Sequence, residues 1–218
     1  MRSFRITVLR ILSFLLLMVC LWSVGYATDS INHRLYKHVI QIPAKSEKSK
    51  KRFIKYLRLE ANNDSEMVES IYYWMTAHIA YDMAIYDRNQ DFYRFTDSFF
   101  SRKGICSEYS RLFVELCDLA GVEVEFLAGF ARTSTFTGAL DSNARHSWNR
   151  VKLGGEWKLI DATWGSRSKL INGQVEVREP NPYYLFINPK DLIKTHFPVR
   201  EEWQMLDKPL TESEFLAQ

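Results

Sequence analysis

Cys106, His146 and Asp161 are the residues of this 218-residue chain whose types and order can do covalent chemistry. They sit in Gly104-Ile105-Cys106-Ser107-Glu108-Tyr109-Ser110, in Arg145-His146-Ser147-Trp148 and in Leu159-Ile160-Asp161-Ala162-Thr163-Trp164. Attack on an amide carbonyl needs a nucleophile, a base to activate it and a group that orients the base. Taken singly, each residue has an ordinary explanation. A lone buried cysteine is a small hydrophobe, which suits Cys117. A lone histidine is a satisfied polar group, and a lone aspartate at a strand end bonds a turn. Together, in this order, they supply all three parts.

The elements that must position them follow from the surrounding pattern. After Cys106 the apolar positions Leu112, Phe113, Leu116, Leu119 and Ala120 recur at helical spacing. Gly121 is suited to cap that helix, and Gly104 frees the chain to turn into it. Cys106 is therefore expected in or near the first turn. Orphan N–H groups and the positive end of the helix dipole there favour negative charge and can hold an oxyanion. His146 and Asp161 fall on a hairpin, because Asn149 to Leu153 and Glu156 to Ile160 flank Gly154-Gly155. A tight turn pairs Leu153 with Glu156, Trp148 with Asp161 and His146 with Thr163. His146 and Asp161 are then diagonal neighbours on one face. A one-residue slip would put them on opposite faces.

With these segments in view, the sequence resembles the transglutaminase-like superfamily of papain-like thiol enzymes. Asn63-Asp64-Ser65, Ile71-Tyr72-Tyr73-Trp74-Met75 and Ile79-Ala80-Tyr81-Asp82 resemble the family's first helix and its Tyr-Asp ending. Gly104-Ile105-Cys106, His146-Ser147-Trp148 and Trp157 to Trp164 resemble its three catalytic segments. Tyr183 to Pro189, His196-Phe197-Pro198 and Trp203-Gln204-Met205-Leu206 are similar to the subgroup named after the kyphoscoliosis peptidase. The resemblance implies a Cys106–His146–Asp161 triad and a papain-like α+β fold. Ser147 stands where many relatives carry Ala. The polar stretch from Thr133 to Ala144 departs from the family and is read as a mobile loop over the site.

The first residues tell a separate story. Arg2, Arg5 and Arg10 precede an apolar run from Ile11 to Val24, and Gly25-Tyr26-Ala27 supplies small residues for cleavage after Ala27. Residues 1–27 thus read as a signal peptide, with an uncleaved membrane anchor over residues 11–27 as the alternative. Export to the periplasm, envelope or medium follows. The chain has 29 basic and 26 acidic residues; without the three leader arginines the balance is 26 against 26, which calls for no nucleic acid. Lys45, Lys48, Lys50, Lys51 and Arg52 read as a solvated face, with anionic lipid as the lesser alternative. Cleavage leaves Cys106 and Cys117. Eleven residues apart on one helix, they stand roughly 16 Å apart, too far for a disulfide. An exported free thiol at a helix start suits catalysis. The five histidines show no metal-ligand spacing, and no phosphate-binding glycine loop is present, so neither a metal nor a cofactor is expected.

The organisation expected is a lead-in at residues 28–44, loosely packed, and one transglutaminase-like domain at 45–218. Lys48 to Leu59 and Ser65 to His78 read as helices, with Asp64 as N-cap of the second. Val122 to Ala131 reads as a strand continued by the hairpin and by the pair across Asn172-Gly173. Helices first and antiparallel strands second argue for segregated α+β. Trp148 and Trp164 flank the triad and are candidates for gripping a peptide, with core packing as the competing role. Tyr81 and Asp82 are assigned to tying the first helix to the active-site helix, and His196 to packing. The function expected is amide hydrolysis of a peptide or protein through a thioester. Cross-linking by a lysine amine and a non-catalytic peptide-binding scaffold are the alternatives.

Overall fold

The computed structural model describes residues 30–83, 97–134 and 136–218. The leader read at residues 1–27, cleaved or anchoring, lies outside the described residues. Among the described residues, no helix is long and apolar enough to cross a membrane.

Short polar caps start the helices. α1 (His33–Ile40) begins at Asn32, whose side chain accepts from the Leu35 N–H. α2 (Lys50–Leu57) begins at Ser49, which accepts from the Arg52 N–H. α3 (Asp64–His78) is capped by Asn63, which accepts from the Glu66 N–H at 2.9 Å, one residue earlier than the expected Asp64. α1 also corrects the picture of a loosely packed lead-in. Leu35 and Val39, four residues apart, form an apolar stripe that is fully buried against α3.

β1 (Ala80–Tyr81) pairs in parallel with β2 (Lys103–Gly104), which follows the single turn α4 (Ser98–Ser101). The Asp82 N–H donates to the Gly104 carbonyl at 3.0 Å, and its buried carboxylate meets Lys103 Nζ at 3.2 Å. This ladder ties the end of α3 to the start of α5 (Cys106–Ala120), the role expected of Tyr81 and Asp82. Gly121, in the left-handed region at φ 78°, ends α5 as expected.

The antiparallel sheet runs in the order β8-β5-β4-β3-β9. Its strands are β3 (Val124–Ala131), β4 (Arg145–Leu153), β5 (Glu156–Ile160), β8 (Leu185–Ile187) and β9 (His196–Pro198). Gly154 and Gly155 adopt φ of 59° and 88°, as a tight hairpin turn demands. Pairing runs from Leu153 opposite Glu156 to Asn149 opposite Ile160, the expected register. It stops there because Asp161 leaves the strand to cap the turn α6 (Ala162–Gly165), so the Trp148–Asp161 and His146–Thr163 pairs do not form. β6 (Lys169–Ile171) and β7 (Gln174–Glu176) make a separate two-stranded sheet rather than a continuation of the main one.

Alternation sends Ile160 and Val151 into the core under α3 and α5. Leu159, Trp148 and Leu127 go to the opposite face, with Ile187 and Leu192 from α7 (Pro189–Leu192), beneath Trp203 and Met205. The chain ends in α8 (Glu212–Leu216). The architecture is the expected α+β one: the helix that begins at Cys106 packed on an antiparallel sheet.

Candidate active site

Cys106 is the first residue of α5 and is half-buried. The buried Glu108 reaches back, and its Oε2 accepts from the Ile105 N–H at 3.0 Å. A Cβ on Gly104 would lie 2.5 Å from Ser98 Oγ and 2.9 Å from Glu108 Oε2. Gly104 therefore leaves room for these two side chains, rather than serving the turn that its sequence position suggested. Together these contacts fix the helix start that presents Cys106.

His146, at the beginning of β4, meets Asp161, at the end of β5, with Nε2 2.7 Å from Oδ2. The other carboxylate oxygen, Oδ1, accepts from the N–H groups of Thr163 at 2.8 Å and Trp164 at 3.0 Å. A carboxylate only accepts, so His146 Nε2 carries a proton, which leaves Nδ1 as the nitrogen available to Cys106. Burial alone would push the imidazole down. The Asp161 charge, the bond to Asp161 and the bond to Cys106 outweigh it and raise His146 to about 10. Burial alone would likewise raise Asp161, but His146 first, and then His196, hold it well below the usual carboxylate range. The two shifts act on stability in opposite pH directions. The raised His146 stabilises the fold fully below its ordinary value of 6.5, and that contribution is lost as pH rises to about 10. The depressed Asp161 contributes above the ordinary carboxylate range and loses its contribution on acidification. Urea unfolding should show the native chain losing stability relative to Asp161→Asn between pH 6.5 and about 10.

His196 joins the same carboxylate, its Nε2 3.0 Å from Asp161 Oδ2. The sheet explains why. His146 and Trp148 share a face of β4; Gly129 lies opposite His146, and Ala131 lies opposite His196 on β9. Trp148 occupies the space a Gly129 side chain would fill, with Cη2 2.6 Å from the Cβ position. His196 therefore reaches Asp161 from the sheet edge, while its Nδ1 lies 2.8 Å from Thr195 Oγ1. Burial pushes His196 down, so it stays neutral, donating Nε2–H to Asp161. Its burial against Trp148 and Trp164 agrees with the packing role expected from sequence, and the bond to Asp161 adds a positioning contact that the sequence did not show. His196→Ala should slow Cys106 alkylation about tenfold, the worth of one hydrogen bond to a charged group. His196→Gln, which keeps a donor, should recover part of that rate; equal losses in the two variants would reduce His196 to packing.

The two tryptophans separate. Trp148 is 1 % exposed, so it is a core residue and not a peptide contact. Its ring stacks near His146, with centroids 6.0 Å apart. Trp164 is half-buried, packs edge-on to His196 at 4.4 Å and lines a cavity of about 400 Å³ that opens beside His146. Thr133 and Ser134, from the stretch read as a loop over the site, line it as well. Ligand-type atoms of His146, Asp161 and His196 lie within 4.8 Å of one another, a cluster invisible in chain spacing. Both Nε2 atoms, however, contact one Asp161 oxygen at 2.7 and 3.0 Å. Two ligands on a tetrahedral metal stand about 3.4 Å apart. The cluster is thus a closed hydrogen-bond network that holds the imidazole beside the thiol.

A profile of the transglutaminase-like superfamily matches residues 51–162, a span that includes Cys106, His146 and Asp161. Kyphoscoliosis peptidase from Mus musculus and its counterpart from Homo sapiens are each 32% identical over 169 residues, covering 72% of this chain. Hillarin from Drosophila melanogaster is 30% identical over 121 residues, 49% of this chain and 15% of that protein. The chain spans only 24% of the length of the two peptidases. Among solved structures, the periplasmic domain of TgpA from Pseudomonas aeruginosa is similar, with a TM-score of 0.44 and 16% identity over 64% of this chain and 52% of that one.

Proposed function

Because the chain belongs to the transglutaminase-like superfamily, we propose that it is an exported cysteine enzyme that hydrolyses amide bonds of peptides or proteins. One observation carries this: the buried Asp161 holds His146 Nε2 at 2.7 Å, and Cys106, interacting with the same ring, helps to raise its pKa. In the mechanism, His146 holds the proton drawn from Cys106 as an imidazolium, in line with its raised basicity, and the sulfur attacks the amide carbonyl. First-turn N–H groups of α5 stabilise the oxyanion. His146 then protonates the leaving amine as the C–N bond breaks, giving a thioester. Water, deprotonated by the same imidazole, attacks the thioester and releases the acid and Cys106. Asp161 keeps the ring in the required tautomer and stabilises its charged form throughout. Export is supported by the basic start, apolar run and small residues of positions 1–27. Hydrolysis is favoured over cross-linking because the kyphoscoliosis relatives are named as peptidases.

The test is iodoacetamide alkylation of the full chain, read separately at Cys106 and Cys117 by mass spectrometry. Cys117 is the internal reference, fully buried and with its thiol pushed up by that burial. Cys106 should react at least about tenfold faster than an unactivated thiol near neutral pH, and His146→Ala should remove that advantage. A Cys106 rate that is ordinary and indifferent to His146 would sink the proposal.

A further inference from the structure

The cavity beside His146 is lined by two arginines, Arg132 just after β3 and Arg145 at the start of β4. The described residues that line it include no carboxylate. Neither arginine forms an ion pair with another described residue. Arg132 is held in place without being neutralised: Nη2 donates to the Phe215 carbonyl at 2.6 Å. Its guanidinium also lies over the rings of Phe215 at 4.6 Å and Phe136 at 5.0 Å. Arg145 is exposed. Nor does Asp161 offset them, because it is fully buried and faces two histidines. Two uncompensated cations thus flank a space that opens beside His146, the ring that interacts with Cys106. Guanidinium groups match carboxylates with paired donors and hold charge at any working pH. The apolar part of the wall, Met83 and Trp164, suits the carbon chain that would carry such a group.

We propose that this cleft selects an acyl donor bearing a carboxylate close to the amide presented to Cys106, with Arg145 and Arg132 receiving that carboxylate. The proposal rests on the cysteine-enzyme reading above and names its substrate class: acidic peptides, in which the carboxylate belongs either to a side chain or to a free C-terminus.

The experiment compares two reagents of nearly equal size on the full chain. Iodoacetate carries a carboxylate to the sulfur and iodoacetamide a neutral amide. The His146 charge acts on both native and variant chains, so the change in the iodoacetate-to-iodoacetamide rate ratio isolates the arginines. Arg145→Gln should lower the ratio about threefold to tenfold, as loss of one nearby charge predicts. Because Arg132 also anchors the C-terminal segment, Arg132→Lys is added: it keeps the charge and should keep most of the ratio, whereas Arg132→Gln should lower it. Two acidic peptides then assign the source by protecting Cys106 from iodoacetamide, one with an internal Glu and blocked ends, the other with uncharged side chains, a blocked N-terminus and a free C-terminus. An unchanged ratio in both Gln variants, or a blocked neutral peptide protecting as well as either acid, would overturn the proposal. Cys106 reacting with neither reagent faster than a free thiol would instead bring down the underlying enzyme reading, and this one with it.

Discussion

Asp161→Asn should lower peptide turnover by about 10⁴, the scale of loss when an imidazole is trapped in the wrong tautomer. The two oxygens of Asp161 have separate duties. Oδ1 takes the N–H groups of Thr163 and Trp164, and Oδ2 takes His146 and His196. An asparagine would keep its oxygen on the first pair and turn its NH₂ toward the histidines. His146 Nε2 would then have to accept, its proton would move to Nδ1, and no lone pair would face Cys106. The fold should survive, because the α6 cap survives. The stricter check is a double-mutant cycle on Cys106 alkylation with His146→Ala. If the aspartate acts through the imidazole, the double variant should be no slower than the slower single variant. Additive losses would show that Asp161 acts by another route.

Gly129→Ala should carry the larger effect on stability, about 3 kcal/mol, at the upper end for overpacking a close contact. The added Cβ would sit 2.3 Å from the Phe197 carbonyl oxygen, 2.8 Å from Pro198 Cα and 2.6 Å from Trp148 Cη2. Two of these neighbours are backbone and cannot rotate away. The relief available is for β9 to part from β3, and β9 carries His196. Thermal unfolding should therefore fall by roughly 6–12 °C for a chain of this size. Hydrogen exchange should rise selectively in β9, and Cys106 alkylation should drop as it does in His196→Ala. A destabilised variant with β9 still protected would refute the route, though not the clash.

What the sequence discloses and what it hides divide along the lines of local and distant contact. The 106–120 helix shows in the spacing of Leu112, Phe113 and Leu116, and its end in Gly121. The His146–Asp161 pairing shows in Gly154-Gly155, because a two-residue turn fixes parity over several residues on each side. His196 does not show, since its partner lies 35 residues away and a shared sheet edge brings them together. Trp148 looks like a site residue until Gly129, from a neighbouring strand, is seen to make the slot that buries it. Leu35 and Val39 are too few to announce a core helix; only the α3 surface they cover gives them meaning. The β6–β7 hairpin carries a legible turn, but nothing local to it says which sheet it joins.

The divided carboxylate of Asp161 also limits how this chain can lose its chemistry. One side chain serves both the folding of α6 and the charge state of His146, so truncating it removes both at once, and only an amide that keeps the cap separates them. Cys106 has no such second duty: it is half-buried, unbridged and at a helix start already held by Glu108. Cys106→Ala should therefore leave unfolding nearly unchanged, whereas Asp161→Ala should lower it steeply. A silent descendant of this protein would be recognised by a missing thiol beside an intact His–Asp pair.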